Sequence, residues 1–192
     1  MNMEAIGNTI IFGLYDWRVL DARDDKALIL SVKTIENRAY SEELAEVTWE
    51  NCDIRQYLNW EFYNHFTAEE KAFIAETQIK NAGNPWHGTS GGSDTTDRIF
   101  LLSIDEAVRY FGDSGLLGSG NLKNEFWLND KYNTSRIAYG ASGRASWWWL
   151  RSPGIDQGRA AGVGRDGGIF IGGLGVDDSG GSVRPALWLK HV

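Results

Sequence analysis

The feature that most constrains this chain is the layout of its C-terminal third. Ser146-Trp-Trp-Trp-Leu-Arg-Ser-Pro-Gly154 opens it, a glycine-rich tract runs on to Gly181, and Val183-Arg-Pro-Ala-Leu-Trp-Leu189 closes it. Two apolar, aromatic-anchored runs of strand character thus bracket a middle that is small, polar and short of core residues. Rigid ends around a tolerant middle are what a displayed binding surface needs. If Trp147, Trp148 and Trp149 form a strand, they alternate in direction, and Trp148 points opposite to its two neighbours. One side of the triplet is then core; the other, either Trp148 or the Trp147 and Trp149 pair, faces a ligand.

At 192 residues the chain is large enough for one domain whose core needs neither metal nor disulfide. Its lone cysteine, Cys52, lies in Thr48-Trp-Glu-Asn-Cys-Asp-Ile-Arg55 and reads as a small buried hydrophobe rather than a reactive thiol. No stretch approaches the roughly 20 apolar residues of a membrane span, so membrane insertion is not expected. Met1-Asn-Met-Glu-Ala5 lacks the basic start and apolar run of a signal peptide. The expectation is a soluble chain, either cytoplasmic or part of a larger exported protein. A formal net charge of −7 with no Lys/Arg cluster argues against nucleic acid as a partner. Nine tryptophans supply rigid aromatic area, most of it for the core and some for contact.

Thr9-Ile-Ile-Phe-Gly-Leu14 and Trp17-Arg-Val-Leu-Asp21 read as paired strands around a turn near Tyr15-Asp16. Ala27 to Val32 reads as the next strand, after the polar connection Asp24-Asp25-Lys26. From Thr48, placed as an N-cap, Ile54, Tyr57, Leu58, Phe62 and Phe66 recur at helical spacing, which predicts a helix to Phe66. Thr67-Ala-Glu-Glu70 is a capping box that starts a second helix, running to about Gln78. Glycines and a proline between Gly83 and Gly92 break the pattern, Ile99 to Ser103 reads as a strand, and Ser103-Ile-Asp-Glu106 caps a short helix to about Phe111. From Gly112 to Trp147 the pattern is irregular. The order predicts an α+β fold with short antiparallel sheets, two main helices and a long loop-rich C-terminal half. The last strand, Val183 to Leu189, is placed beside the first ones, within a single domain spanning 1–192.

Phe12-Gly-Leu-Tyr-Asp-Trp-Arg-Val-Leu20, the Thr48 to Asn59 run, Phe100-Leu-Leu-Ser-Ile-Asp-Glu-Ala107, Trp149-Leu-Arg-Ser-Pro-Gly154 and Val183-Arg-Pro-Ala-Leu-Trp188, taken in this order, resemble a bacterial family catalogued as a domain of unknown function. More distantly, an aromatic strand, a glycine-rich segment and a closing Val-Arg-Pro strand resemble bacterial proteins of C-type-lectin-like fold. These include the formylglycine-generating-enzyme-like group and variable proteins diversified by retroelements. That resemblance implies adjacent N- and C-terminal strands, in keeping with the order of elements.

The chemistry of those relatives transfers unevenly. Calcium-dependent sugar binding uses a Glu-Pro-Asn type loop and a Trp-Asn-Asp strand; here Trp127-Leu-Asn-Asp130 is an imperfect echo and the loop is missing. Asp94-Thr-Thr-Asp97 and Asp177-Asp178 read as solvated acidic turns. The related oxidases use a cysteine pair, and this chain has Cys52 alone. His65, His87 and His191 are scattered without metal-ligand spacing, and Ser90-Gly-Gly-Ser93 and Gly164-Arg-Asp-Gly-Gly168 lack a phosphate-loop signature. No cofactor or metal is therefore expected.

What remains is a non-enzymatic module that binds a protein, small molecule or glycan through the segment from about 139 to 181. Diversified relatives imply that the tryptophans are scaffold and that other residues between the anchors make contact. The candidates are Asp156, Gln157, Arg159, Arg165, Asp166, Ile169, Phe170 and Ile171, with Tyr139 and Arg144 upstream and Trp148 from the triplet. Aromatic residues beside arginine are the composition of binding hot spots. The competing reading of Ile169-Phe-Ile171 is a strand with part of its side chains in the core. The competing function is a hydrolase-type enzyme built on carboxylates such as Glu50, Asp53 and Asp105. A structural domain of a longer surface protein is a third reading.

Overall fold

A computed structural model describes residues 5–23, 25–118 and 125–190. The chain opens as a meander of β1 (Thr9–Phe12), β2 (Tyr15–Arg23) and β3 (Lys26–Ser31). The first turn falls at Gly13-Leu14, ahead of the predicted Tyr15-Asp16, because Gly13 has φ 60° and accepts the left-handed backbone that a two-residue turn requires. A Cβ there would also meet the Phe66 ring at 2.8 Å.

After β4 (Glu36–Asn37) comes α1 (Asp53–Asn59) and, past a 3-10 turn at Phe62–His65, α2 (Ala68–Phe73). The single helix expected from Thr48 to Phe66 is thus broken. Asn59 ends it: its side-chain amide donates to the Ile99 carbonyl at 2.8 Å, and its Oδ1 accepts from the Arg98 backbone N–H at 2.8 Å. The second helix starts at its capping box as predicted, Glu70 N–H donating to Thr67 Oγ1, but stops at Phe73 rather than Gln78. Its continuation is drawn into the sheet, since Ala75 N–H donates to the Trp188 carbonyl at 2.8 Å.

Next follow β5 (Thr77–Ile79), β6 (Thr95–Asp97), β7 (Ile99–Phe100), α3 (Ile104–Phe111), β8 (Trp127–Leu128), α4 (Asn133–Arg136), β9 (Ala138–Tyr139) and β10 (Ala145–Ser146). The C-terminal third carries β11 (Trp148–Pro153), β12 (Arg159–Val163), β13 (Ile169–Gly175), β14 (Ser182–Val183) and β15 (Ala186–Lys190).

Two sheets dominate this α+β arrangement. One has the order β1-β2-β3-β15-β7, so the C-terminal strand lies beside the third strand of the meander and not the first. The other has the order β4-β14-β11-β12-β13-β8, antiparallel except for the β11–β14 pair. The glycine-rich tract therefore carries two strands of this sheet, β12 and β13, where the sequence predicts loop. Its glycines serve close packing: a Cβ on Gly173 would lie 2.7 Å from the Gly154 Cα, and Gly173 itself has φ 78°. Among the described residues no helix is long and apolar enough to cross a membrane.

Candidate functional site

The register of the six-stranded sheet sorts its side chains into two rows. Trp148 pairs with Val163, Val163 with Ile169, and Ile169 with Leu128. All four are buried. This inner row packs on α3 and α4, with the Phe111 ring 6.4 Å from that of Trp148 and the Trp148 indole N–H donating to the Arg136 carbonyl. One residue along each strand, Trp149 pairs with Gly162, Gly162 with Phe170, and Phe170 with Trp127. Because successive residues point to opposite faces, this second row lies on the other face of the sheet, where Trp149 is itself wholly buried against Tyr40 while Phe170 and Trp127 keep part of their surface exposed.

Gly162 makes that second row into a groove. Lacking a side chain, it leaves a gap between Trp147, just ahead of β11, and the Phe170 and Trp127 rings. On one bank Trp147 meets Trp149 edge-on, centroids 4.7 Å apart; on the other Trp127 stacks on Phe170 at 4.5 Å with 19° between planes. The resulting cavity, about 320 Å³, is lined further by Val163, Gly164 and Leu174, with Arg165 and Asp178 supplying its charges. That volume lies at the lower end of the range for small-molecule sites.

Of the residues expected to make contact, Arg165 and Phe170 lie in the groove. Trp148, Ile169 and Ile171 are corrected by the structure: each is fully buried on the inner face, because alternation along β11 and β13 commits them to the core. Asp156, Gln157 and Arg159 sit together at the turn joining β11 to β12, where Asp156 caps the Gly158 N–H at 3.0 Å. Asp166 lies in the turn before β13, its Oδ1 accepting from Gly168 N–H. Tyr139 and Arg144 belong to the β9–β10 hairpin, outside the groove lining. The sequence reading missed Trp127, Leu174 and Asp178; the signal for the first was the exposed-side alternation of Trp127-Leu128, with Leu128 fully buried.

The oxygens of Trp127-Leu-Asn-Asp130 already have work. Asp130 accepts from Arg136 Nη1 and Nη2, each at 2.9 Å, and from Ser114 Oγ at 2.7 Å, while Asn129 Oδ1 accepts from Asn133. Asp53 accepts from Ser41 Oγ and the Glu42 N–H, and Glu50 from the Ser93 N–H. Burial pushes the Asp105 carboxyl above its ordinary range, with Glu106 adding to the rise. Among the described residues no three His, Cys, Asp or Glu side chains gather as metal ligands, and His191 lies outside them.

A profile of the family described as a domain of unknown function, DUF6273, matches residues 24–191. The chain belongs to this family. No curated protein and no solved structure matches it. The whole groove of this DUF6273 domain falls within the matched span, whereas β1 and β2 precede it.

Proposed function

We propose that the chain is a non-enzymatic binding module that takes an apolar group of its ligand into the groove between Trp147 and the Trp127–Phe170 stack. The observation that supports it most directly is the glycine that stands in an otherwise aromatic row, beside the partly exposed Phe170 and Trp127. Rings that could have closed over one another are held apart there, and Trp127 keeps 41% of its surface exposed. Exposed aromatic surface with a polar rim is the composition of recognition sites.

A C-type-lectin-like scaffold belongs to the same reading. Its support is the C-terminal strand β15 seated within the N-terminal sheet and the long glycine-rich segment leading to it. Under that reading the positions free to vary, by retroelement or otherwise, are the solvent-facing Asp156, Arg159, Arg165 and Asp166 and the hairpin residues Tyr139 and Arg144.

The test is a titration with indole, followed through the indole N–H resonances of Trp127 and Trp147. Saturable shifts at these two, lost in Phe170→Ala and in Gly162→Val, support the groove as the binding site. Absence of saturable shifts in the wild-type chain, or their persistence in both variants, sinks it.

A further inference from the structure

The groove's polar groups are not evenly satisfied, and this points to the chemistry of what it holds. Arg165, in the turn before β13, is exposed and makes no hydrogen bond or ion pair with any described residue. Asp178, after the other end of β13, has its Oδ1 engaged by the Gly180 N–H at 2.8 Å. The neighbouring Asp166 likewise spends Oδ1 on the Gly168 N–H at 3.1 Å, and among the described residues no carboxylate lies within ion-pair distance of Arg165. One donor group therefore lies free on an apolar groove, the full positive charge of Arg165 on a chain of net charge −7. A guanidinium in that state matches a carboxylate, which it holds through paired N–H donors.

Resting on the reading of the groove as a binding site, we infer that its ligand is a small aromatic carboxylate. The ring lies between Trp147 and the Trp127–Phe170 stack, and the carboxylate is held by Arg165. A cavity of about 320 Å³ suits one small molecule rather than a folded partner.

N-acetylphenylalanine and its uncharged twin, N-acetylphenylalaninamide, separate the two layers of this argument when titrated against the Trp127 and Trp147 indole resonances. The acid is expected to bind about 3- to 10-fold more tightly than the amide, the range for one charge-assisted contact at a solvent-exposed rim. Arg165→Gln is expected to erase that preference while leaving amide binding in place. Equal affinity for acid and amide in the wild-type chain, or a preference that survives Arg165→Gln, overturns the carboxylate assignment and leaves the groove reading standing. If neither compound moves the two resonances at about 10 mM, ten times the concentration that half-fills a site of about −4 kcal/mol, both readings fall. A free-acid peptide, tetraglycylphenylalanine, that binds more than 10-fold tighter than N-acetylphenylalanine overturns the small-molecule assignment in favour of a peptide terminus.

Discussion

Trp127 lies stacked on Phe170 across the last two strands of the six-stranded sheet, ring centroids 4.5 Å apart. Their cross-strand neighbours on the opposite face, Leu128 and Ile169, are wholly buried. Two of these four residues thus line the groove and the other two belong to the core. The stability cost of truncation should divide accordingly. Trp127→Ala is expected to lose about 1–2 kcal/mol, an aromatic pair's worth together with the partial burial of an indole that keeps 41% of its surface exposed. Trp148→Ala, which empties a fully enclosed site, is expected to lose about 3–5 kcal/mol. Urea denaturation of the two variants measures this; equal losses would contradict the division into two faces.

The Asp130–Arg136 pair sets an acid limb on stability. Burial alone would raise the Asp130 carboxyl, but the hydrogen bonds from Arg136, Ser114 and the Tyr132 backbone outweigh it and hold the group below its ordinary 3.8. A folded-state pKa below the unfolded one stabilises the fold fully above the unfolded value, and that stabilisation is lost as pH falls through the folded value. Asp105, whose carboxyl is raised, works in the opposite sense. Unfolding free energies between about pH 2 and pH 6 should show a decline for wild type that is shallower in Asp130→Asn. That variant should also be weaker by about 3–5 kcal/mol at neutral pH, since Arg136 is left buried and unpaired.

Asn84 pins the loop between β5 and β6 to the sheet. Its Nδ2 donates to the carbonyls of Pro153, Gly154 and Ile171, and its Oδ1 accepts from the Trp86 and His87 backbone N–H groups. Removing it strands several buried polar groups at once. Asn84→Ala is expected to cost about 2–4 kcal/mol and to expose the loop to limited proteolysis before the rest of the domain unfolds. Unchanged proteolytic resistance would show that the loop is held by other means.

Cys52 should behave as a reporter of unfolding. Burial pushes its thiol up to about 12, and its Sγ points at the Trp49 carbonyl at 3.5 Å. Thiolate is the reactive form. A thiol reagent at pH 8 is therefore expected to label the chain at the rate of unfolding in rising urea, and hardly at all without denaturant. Rapid labelling of the native chain would show that the site opens locally.

Signals that close within a few residues are legible in the sequence. Ser103-Ile-Asp-Glu106 and Thr67-Ala-Glu-Glu70 start their helices because a capping box closes within four residues and needs no distant partner. Helix ends were another matter, since Asn59 stops α1 by bonding to β7 some 40 residues away. Glycines misled in the C-terminal third: a sequence shows their poor strand propensity but not the close backbone contact, as between Gly154 and Gly173, that makes them necessary.

The sequence by itself determined that neighbouring members of the Trp147–Trp149 triplet oppose one another, because alternation is a property of any extended backbone. How far each side would be buried was decided by tertiary structure: α3 and α4 seat against Trp148, Tyr40 covers Trp149 on the other face, and Trp147 alone keeps partial exposure. The groove also needed β8 to bring Trp127 beside Phe170, a pairing between positions 43 residues apart in the chain that no local pattern encodes.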